Sequence, residues 1–207
     1  MKSFTPSKAS AEQRQCIRKN IRCKRRDLSN VEQIEASHCL LTQLKKHSAA
    51  TDASTVALYL AVDGELDLTP VIEWYWNMGK KVCLPVLHPF SSGHLLFLEY
   101  TPETDMIANQ YKIAEPKLNM SQIVPVNEID IIYTPLVAFD DQGQRLGMGG
   151  GYYDRTLASW EATSGNQAIG LAHDCQQVPL LPVEAWDIPL QTIVTPSKTW
   201  QWNTKPR

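Results

Sequence analysis

The segment Gly143-Gln144-Arg145-Leu146-Gly147-Met148-Gly149-Gly150-Gly151-Tyr152-Tyr153-Asp154-Arg155 holds five of the chain's ten glycines. It falls between a predicted strand, Asp130 to Pro135, and a predicted helix from Tyr152 to about Glu161. Consecutive glycines let backbone N–H groups turn into one concavity, and the positive end of the following helix faces the same space, so the pattern suits a phosphate. Arg145 adds a planar, permanently charged fork. The spacing is not GxxxxGK[ST], and Tyr152 stands where the dinucleotide fingerprint, counted from Gly147 and Gly149, needs its third glycine. A plain turn accommodates positive φ with one or two glycines; four in the five residues 147–151 exceed that requirement. Asp154, in the first helical turn, reads either as a carboxylate favoured by the helix dipole or as a Mg²⁺ contact, because Mg²⁺ commonly takes one or two carboxylates together with substrate phosphates.

A second concentration is basic. Residues 1–26 carry nine of the twenty Lys and Arg but one acid, Glu12, whereas the remainder has eleven bases against twenty-one acids. Arg14, Arg18 and Arg22 are four apart and share one face of a predicted helix over about 12–26. Such an asymmetry fits an anion-binding arm, a nucleic-acid arm or a targeting peptide. No apolar core of a secretory signal is present, and Ile17, Ile21 and Leu28 form a stripe able to dock on the body.

These groups must be positioned by the elements between them. Ser29 and Glu32 have capping-box spacing and open a helix to about His47. Thr55 to Val62 reads as a buried strand, followed by the turn Asp63-Gly64-Glu65 and by Thr69-Pro70 as cap and first position of a helix ending at Gly79. Strands near Val82 to Val86 and Leu95 to Tyr100, a short helix after Pro102, and strands at Gln167 to Ala172 and Thr192 to Thr195 complete the pattern. The alternation predicts an α/β fold: a three-layer sandwich with a mainly parallel sheet covered by helices on both faces and ligands at the carboxyl ends of the strands. At 207 residues, 43% hydrophobic and 20% charged, the chain fits one globular domain over 1–207, not a fibrous or disordered chain. No apolar run is long enough to span a bilayer. Five scattered cysteines without a CxxC pair favour reduced thiols and the cytoplasm.

The sequence GxRLGxGxGYYDR after a D-x-x-x-T-P strand resembles the 5-formyltetrahydrofolate cyclo-ligase (methenyltetrahydrofolate synthetase) family. The resemblance extends through Ile17-Arg18, Arg26-Asp27-Leu28-Ser29, Gly64-Glu65-Leu66, Leu84-Pro85, Glu115-Pro116 and Trp186-Asp187-Ile188-Pro189. It implies a three-layer α/β sandwich that uses ATP and Mg²⁺ to convert 5-formyltetrahydrofolate to 5,10-methenyltetrahydrofolate. Carried over by position, it implies ATP binding by Arg14, Arg18, Arg145, Leu146, Gly147, Met148, Gly149, Gly150, Gly151, Tyr152 and Tyr153. Folate binding falls on Leu60, Glu65 and the loop residues Met148, Gly149, Gly150, Gly151 and Tyr152. Arg145 and Tyr153 take the catalytic positions and Asp154 the metal position. Of the two tyrosines, one is expected to be buried and the other to face the ligand. Two departures are visible: Gly150 stands where some members have lysine, and Gln191 falls on the family's second acidic metal position, with Asp187 nearby.

In-line phosphoryl transfer asks mainly for positioning and charge, so no Ser, Cys or His nucleophile is expected, and His173-Asp174 reads as a strand-end structural pair. Competing readings are a nucleic-acid-binding protein using the basic helix with Trp200 and Trp202, and a paralogue that binds the folate without turnover, motivated by Gln191. Trp74, Trp76 and Trp160 read as packing residues. The expected protein is a monomer that acts on the folate and ATP without nucleic acid or membrane.

Overall fold

The computed structural model describes residues 8–159 and 166–202; Trp160 and the expected helix end near Glu161 lie outside the described residues. In chain order the elements are α1 (Lys8–Arg26), α2 (Asn30–Leu44), α3 (Ser48–Asp52), β1 (Thr55–Ala57), α4 (Thr69–Asn77), β2 (Lys81–Leu87), β3 (Leu95–Glu99), β4 (Met106–Ala108) and β5 (Ala114–Pro116). There follow β6 (Ile123–Val124), β7 (Ile131–Pro135), β8 (Ala138–Phe139), β9 (Arg145–Leu146), α5 (Tyr152–Ser159), β10 (Gln167–Leu171), β11 (Thr192–Val194) and β12 (Thr199–Gln201).

Eight strands form one sheet in the order β12-β11-β10-β7-β1-β2-β3-β6. The five central strands, β11 to β2, run parallel; β12 and β3 flank them antiparallel, and β6 pairs antiparallel with β3 at that edge. The central strands are apolar at successive positions because both faces are covered. Ile131 and Tyr133 point into the cluster shared with Leu40, Leu44, Val71 and Tyr75 of the α2–α4 face. Ile132 points into the opposite cluster with Phe97, Phe139 and Leu157. Two buried hydroxyls in the first cluster satisfy each other, Tyr75 and Tyr133 lying 2.6 Å apart. α1 docks through Ile17 and Ile21 on a third cluster with Val137, Ala138, Leu146 and Leu181.

The expected layers are present, and three local expectations change. The strand predicted over Thr55 to Val62 stops at Ala57. Leu58 still donates to the Cys83 carbonyl at 2.9 Å, but the chain then leaves the ladder so that Tyr59, Leu60 and Val62 line a cleft. The helix expected after Pro102 is a turn closed by side-chain hydroxyls. Thr101 N–H donates to Thr104 Oγ1 at 2.9 Å, and the chain re-extends into the β4–β5 hairpin. Finally, Leu68 caps α4, so Thr69 is already helical. The capping box of α2 forms as its spacing predicts.

Candidate active site

The cleft, about 1330 Å³, opens at the carboxyl ends of β1, β2 and β7, where ligands bind in open α/β sheets. It is lined by Arg14, Arg18, Leu60, Glu65 and Arg145, by residues 147–151, and by Tyr152, Tyr153, Asp154 and Asp187. Residues expected at the site from distant parts of the sequence are therefore brought together. Leu146 is the exception: it is 1% exposed in the α1 cluster, so its side chain has no surface to offer a ligand.

One end of the cleft is cationic. α1 presents Arg14, which grips Asp187 through Nη1 at 2.5 Å and Nη2 at 2.9 Å; this hydrogen bonding raises the Arg14 pKa. One turn on, Arg18 Nε donates to the Gly147 carbonyl at 2.8 Å, beneath a glycine loop in which Gly149 and Gly151 have φ of 104° and 67°. Burial lowers the Arg18 pKa, and the neighbouring Arg14 lowers it further. Arg145, carried on β9 and 5% exposed, donates to Asp154 Oδ1 at 2.5 Å and to the Ile188 carbonyl at 3.2 Å. Three arginines against two carboxylates leave the cluster one positive charge in excess, which an anion at this spot would neutralise. Asp187 lines the cleft and Gln191 does not, so the second carboxylate on this wall is Asp187.

Beside this cluster lies a buried acidic chamber. Glu65 accepts from Val62 N–H at 3.2 Å and sits 3.6 Å from Arg25 Nη1. Its burial pushes the carboxyl up to about 7. Tyr153 packs against the second core cluster, and its hydroxyl is buried without a hydrogen-bond partner among the described residues. Tyr152 instead turns its hydroxyl to Tyr111, 3.0 Å away, so the two tyrosines differ in burial of the hydroxyl while both line the cleft. Arg25, which sequence reasoning missed, is fully buried and is tied to Asp63, whose carbonyl accepts from Nε at 3.0 Å and Nη2 at 2.8 Å. Arg22 also reaches Asp63, at 2.6 Å, so the Asp63-Gly64 turn is the dock for the basic helix. A methyl group at Gly64 would stand 3.0 Å from the Arg25 carbonyl with φ of 74°.

Two further residues escaped the sequence reading. Arg155 bonds the Gly150 carbonyl and, at 2.7 Å, the Gly93 carbonyl, tying the glycine loop to the β2–β3 connection. A β-carbon at Gly150 would come 2.8 Å from the Tyr152 ring, so the loop needs glycine there for the ring to lie against it. Glu115, 8% exposed, accepts from Leu87 N–H at 3.2 Å and Asn109 Nδ2 at 3.0 Å. His173 is buried, is held neutral by that burial with its pKa down at about 4, and does not line the cleft.

An α/β sandwich whose strand ends carry a glycine loop over clustered arginines, next to a chamber walled by the buried Glu65 carboxylate, has the build of an enzyme site for a large anionic ligand. The chain belongs to the 5-formyltetrahydrofolate cyclo-ligase family, which it matches over residues 10–196. It is 52% identical to the 5-formyltetrahydrofolate cyclo-ligase of Escherichia coli K12 over 182 residues, covering 88% of this chain and 100% of that protein. Identity to the Haemophilus influenzae protein of that name is 46%, covering 89% and 98%. The solved structure of Aquifex aeolicus 5,10-methenyltetrahydrofolate synthetase superposes with a TM-score of 0.79 at 30% identity, covering 93% of this chain and 94% of that one. The Mycoplasma pneumoniae synthetase gives 0.70 at 25% identity, over 88% and 98%.

Proposed function

We propose that this chain is an ATP-dependent cyclo-ligase that closes 5-formyltetrahydrofolate to 5,10-methenyltetrahydrofolate with release of ADP and phosphate. The observation that carries the site assignment is the adjacency, in one cleft, of the arginine cluster under the glycine loop and the Glu65 chamber. The formyl oxygen is a weak nucleophile and its carbon a poor electrophile, so the oxygen first takes the γ-phosphoryl group of ATP. The 10-nitrogen then attacks the activated carbon, the five-membered ring closes, and the phosphate leaves with the former formyl oxygen.

In this reading Arg14, Arg18, Arg145 and the amides of residues 147–151 hold the phosphates and balance the charge that spreads over the transferring group. Glu65 accepts two parallel hydrogen bonds from the pterin's amino group and adjacent ring N–H, against Leu60. Tyr153 points its unpartnered hydroxyl into the boundary between the two ligands. Mg²⁺, when bound with ATP, would supply charge neutralisation for the phosphates. The donor set fits it at Asp154, which uses only Oδ1 on Arg145, leaving Oδ2 without a hydrogen bond among the described residues; Asp187, with both oxygens on Arg14, stands beside it as a second charge. Residues 1–207 act here as one domain and one monomer. No helix among the described residues is long and apolar enough to cross a membrane, and the five free cysteines suit the cytoplasm.

The test is methenyl product, followed by absorbance, from 5-formyltetrahydrofolate and MgATP. Product that requires ATP and drops about 10²-fold in kcat in Asp154→Asn is the expected result. An unimpaired Asp154→Asn enzyme would remove Asp154 from the metal site; no ATP-dependent product from folded wild type would remove the activity.

A further inference from the structure

The turn of the β4–β5 hairpin forms one rim of the cleft, where Tyr111 meets Tyr152 of the glycine loop, and its construction is unusual. Asn109 Oδ1 accepts from Tyr111 N–H at 2.9 Å and from Ile113 N–H at 3.2 Å. Its Nδ2 donates to buried Glu115, which also accepts from the β2 backbone at Leu87. Glu115 and Asn109 are thus positioning residues that fix the turn to the central sheet. Held on that turn is Lys112, with φ of 60°, a left-handed conformation that favours Gly or Asn and costs a lysine energy. A strained, rigidly supported residue lining a cleft points to a function.

Lys112 makes no ion pair among the described residues. Next to it Tyr111 meets Tyr152 edge to face, the ring centres 6.4 Å apart. The sheet order sets direction: the hairpin leans on β2, whereas Arg145 and Asp187 gather on the β7–β11 side. With the formyl group at the arginine end and the pterin on Glu65, the hairpin turn is a cleft wall that neither group occupies, open to the aryl-glutamate part of the substrate. We propose that Tyr111 and Lys112 form a subsite for that tail, the tyrosine ring against the aryl group and the ammonium on a glutamyl carboxylate. The subsite rests on the folate reading above and makes the enzyme discriminate for glutamylated substrates.

The experiment compares kcat/KM for 5-formyltetrahydrofolate and for the corresponding 5-formyltetrahydropteroate, which lacks the glutamate, in wild type, Lys112→Gly and Lys112→Arg. Glycine adopts the positive φ without strain, so the turn persists; an unchanged or raised Tm checks this, and Lys112→Asn, which also tolerates that conformation, serves if it does not. A partly exposed charge pair gives wild type a preference of about three- to tenfold for the glutamylated substrate. Lys112→Gly or Lys112→Asn should reduce it towards one through a raised KM, Lys112→Arg should retain most of it, and salt should erode it in wild type. A preference that survives Lys112→Gly, or is absent from wild type, overturns the tail subsite alone. Failure of wild type to turn over either compound overturns the folate reading and the subsite with it.

Discussion

Replacing Arg145 by methionine is expected to lower kcat by about 10³-fold while the protein still folds, the size seen when a preorganised charge is removed from phosphoryl or oxyanion stabilisation. Arg145 is the arginine most completely withdrawn from water in the cluster, and burial lowers its pKa; both make its charge act at low local dielectric. Its geometry is set in advance by Asp154 on one side and the Ile188 carbonyl on the other, so no reorganisation is needed when the γ-phosphoryl group begins to move. The stability cost should be modest, about 1–2 kcal/mol, because the Ile188 carbonyl loses one donor while Asp154 keeps access to water. Arg145→Lys retains charge without the fork and should recover part of the rate. Arg145→Met combined with Asp154→Asn should fall well short of the product of the two single effects, because the residues touch. Steady-state kinetics with melting curves decides the matter, and a kcat within tenfold of wild type would sink the assignment.

The glycine loop was legible because its chemistry is local: turn-forming residues, two arginines and a helix start within thirteen positions suit a phosphate cradle without tertiary information. The central strands were legible for a similar reason, since burial on both faces leaves uninterrupted apolar runs. Where the chain departs from the ladder was not. Nothing between Thr55 and Val62 marks Ala57 as the last paired residue; the cleft, formed by elements far away in sequence, draws the next residues out. Arg25 looked like one more charge on a basic helix, yet the backward-facing Asp63 carbonyl makes it the one buried there completely. The roles of Glu115 and Asn109 were hidden as well, although Glu115 stood within the resemblance, because they depend on a hairpin in a place where Pro102 pointed to a helix. The resemblance named residues that the fold gathers along one cleft; the side chains holding those residues in place needed the fold.

The Glu65→Gln variant is expected to be the more stable protein and the poorer enzyme. Glu65 is raised from the 4.5 of a solvated glutamate to about 7 by burial, so the folded chain holds this proton more tightly than the unfolded chain does. The associated stabilisation is complete below pH 4.5, shrinks as the pH rises towards 7, and is lost above it; the full span is about 3 kcal/mol. Glutamine never ionises, and Arg25 keeps Asp63 as its partner. The variant should therefore gain about 3 kcal/mol over wild type at pH 8, and about 1 kcal/mol less at pH 6. Function moves the other way. A carboxylate accepts both pterin donors, whereas an amide accepts with its oxygen and opposes the second donor with its own NH₂, so folate binding should weaken about 10²-fold or more. Wild-type affinity should climb close to tenfold per pH unit below 7 and level off above 8, because the ionised carboxylate is the form that accepts both bonds; the variant's should stay flat. Urea unfolding and folate titration at pH 6 and 8 test both halves. A wild-type affinity indifferent to pH, or a Gln variant no more stable at pH 8, would show that Glu65 is not the strained acceptor its burial describes. Both expected results together would mean that the chain carries a destabilising carboxylate because its substrate needs one there.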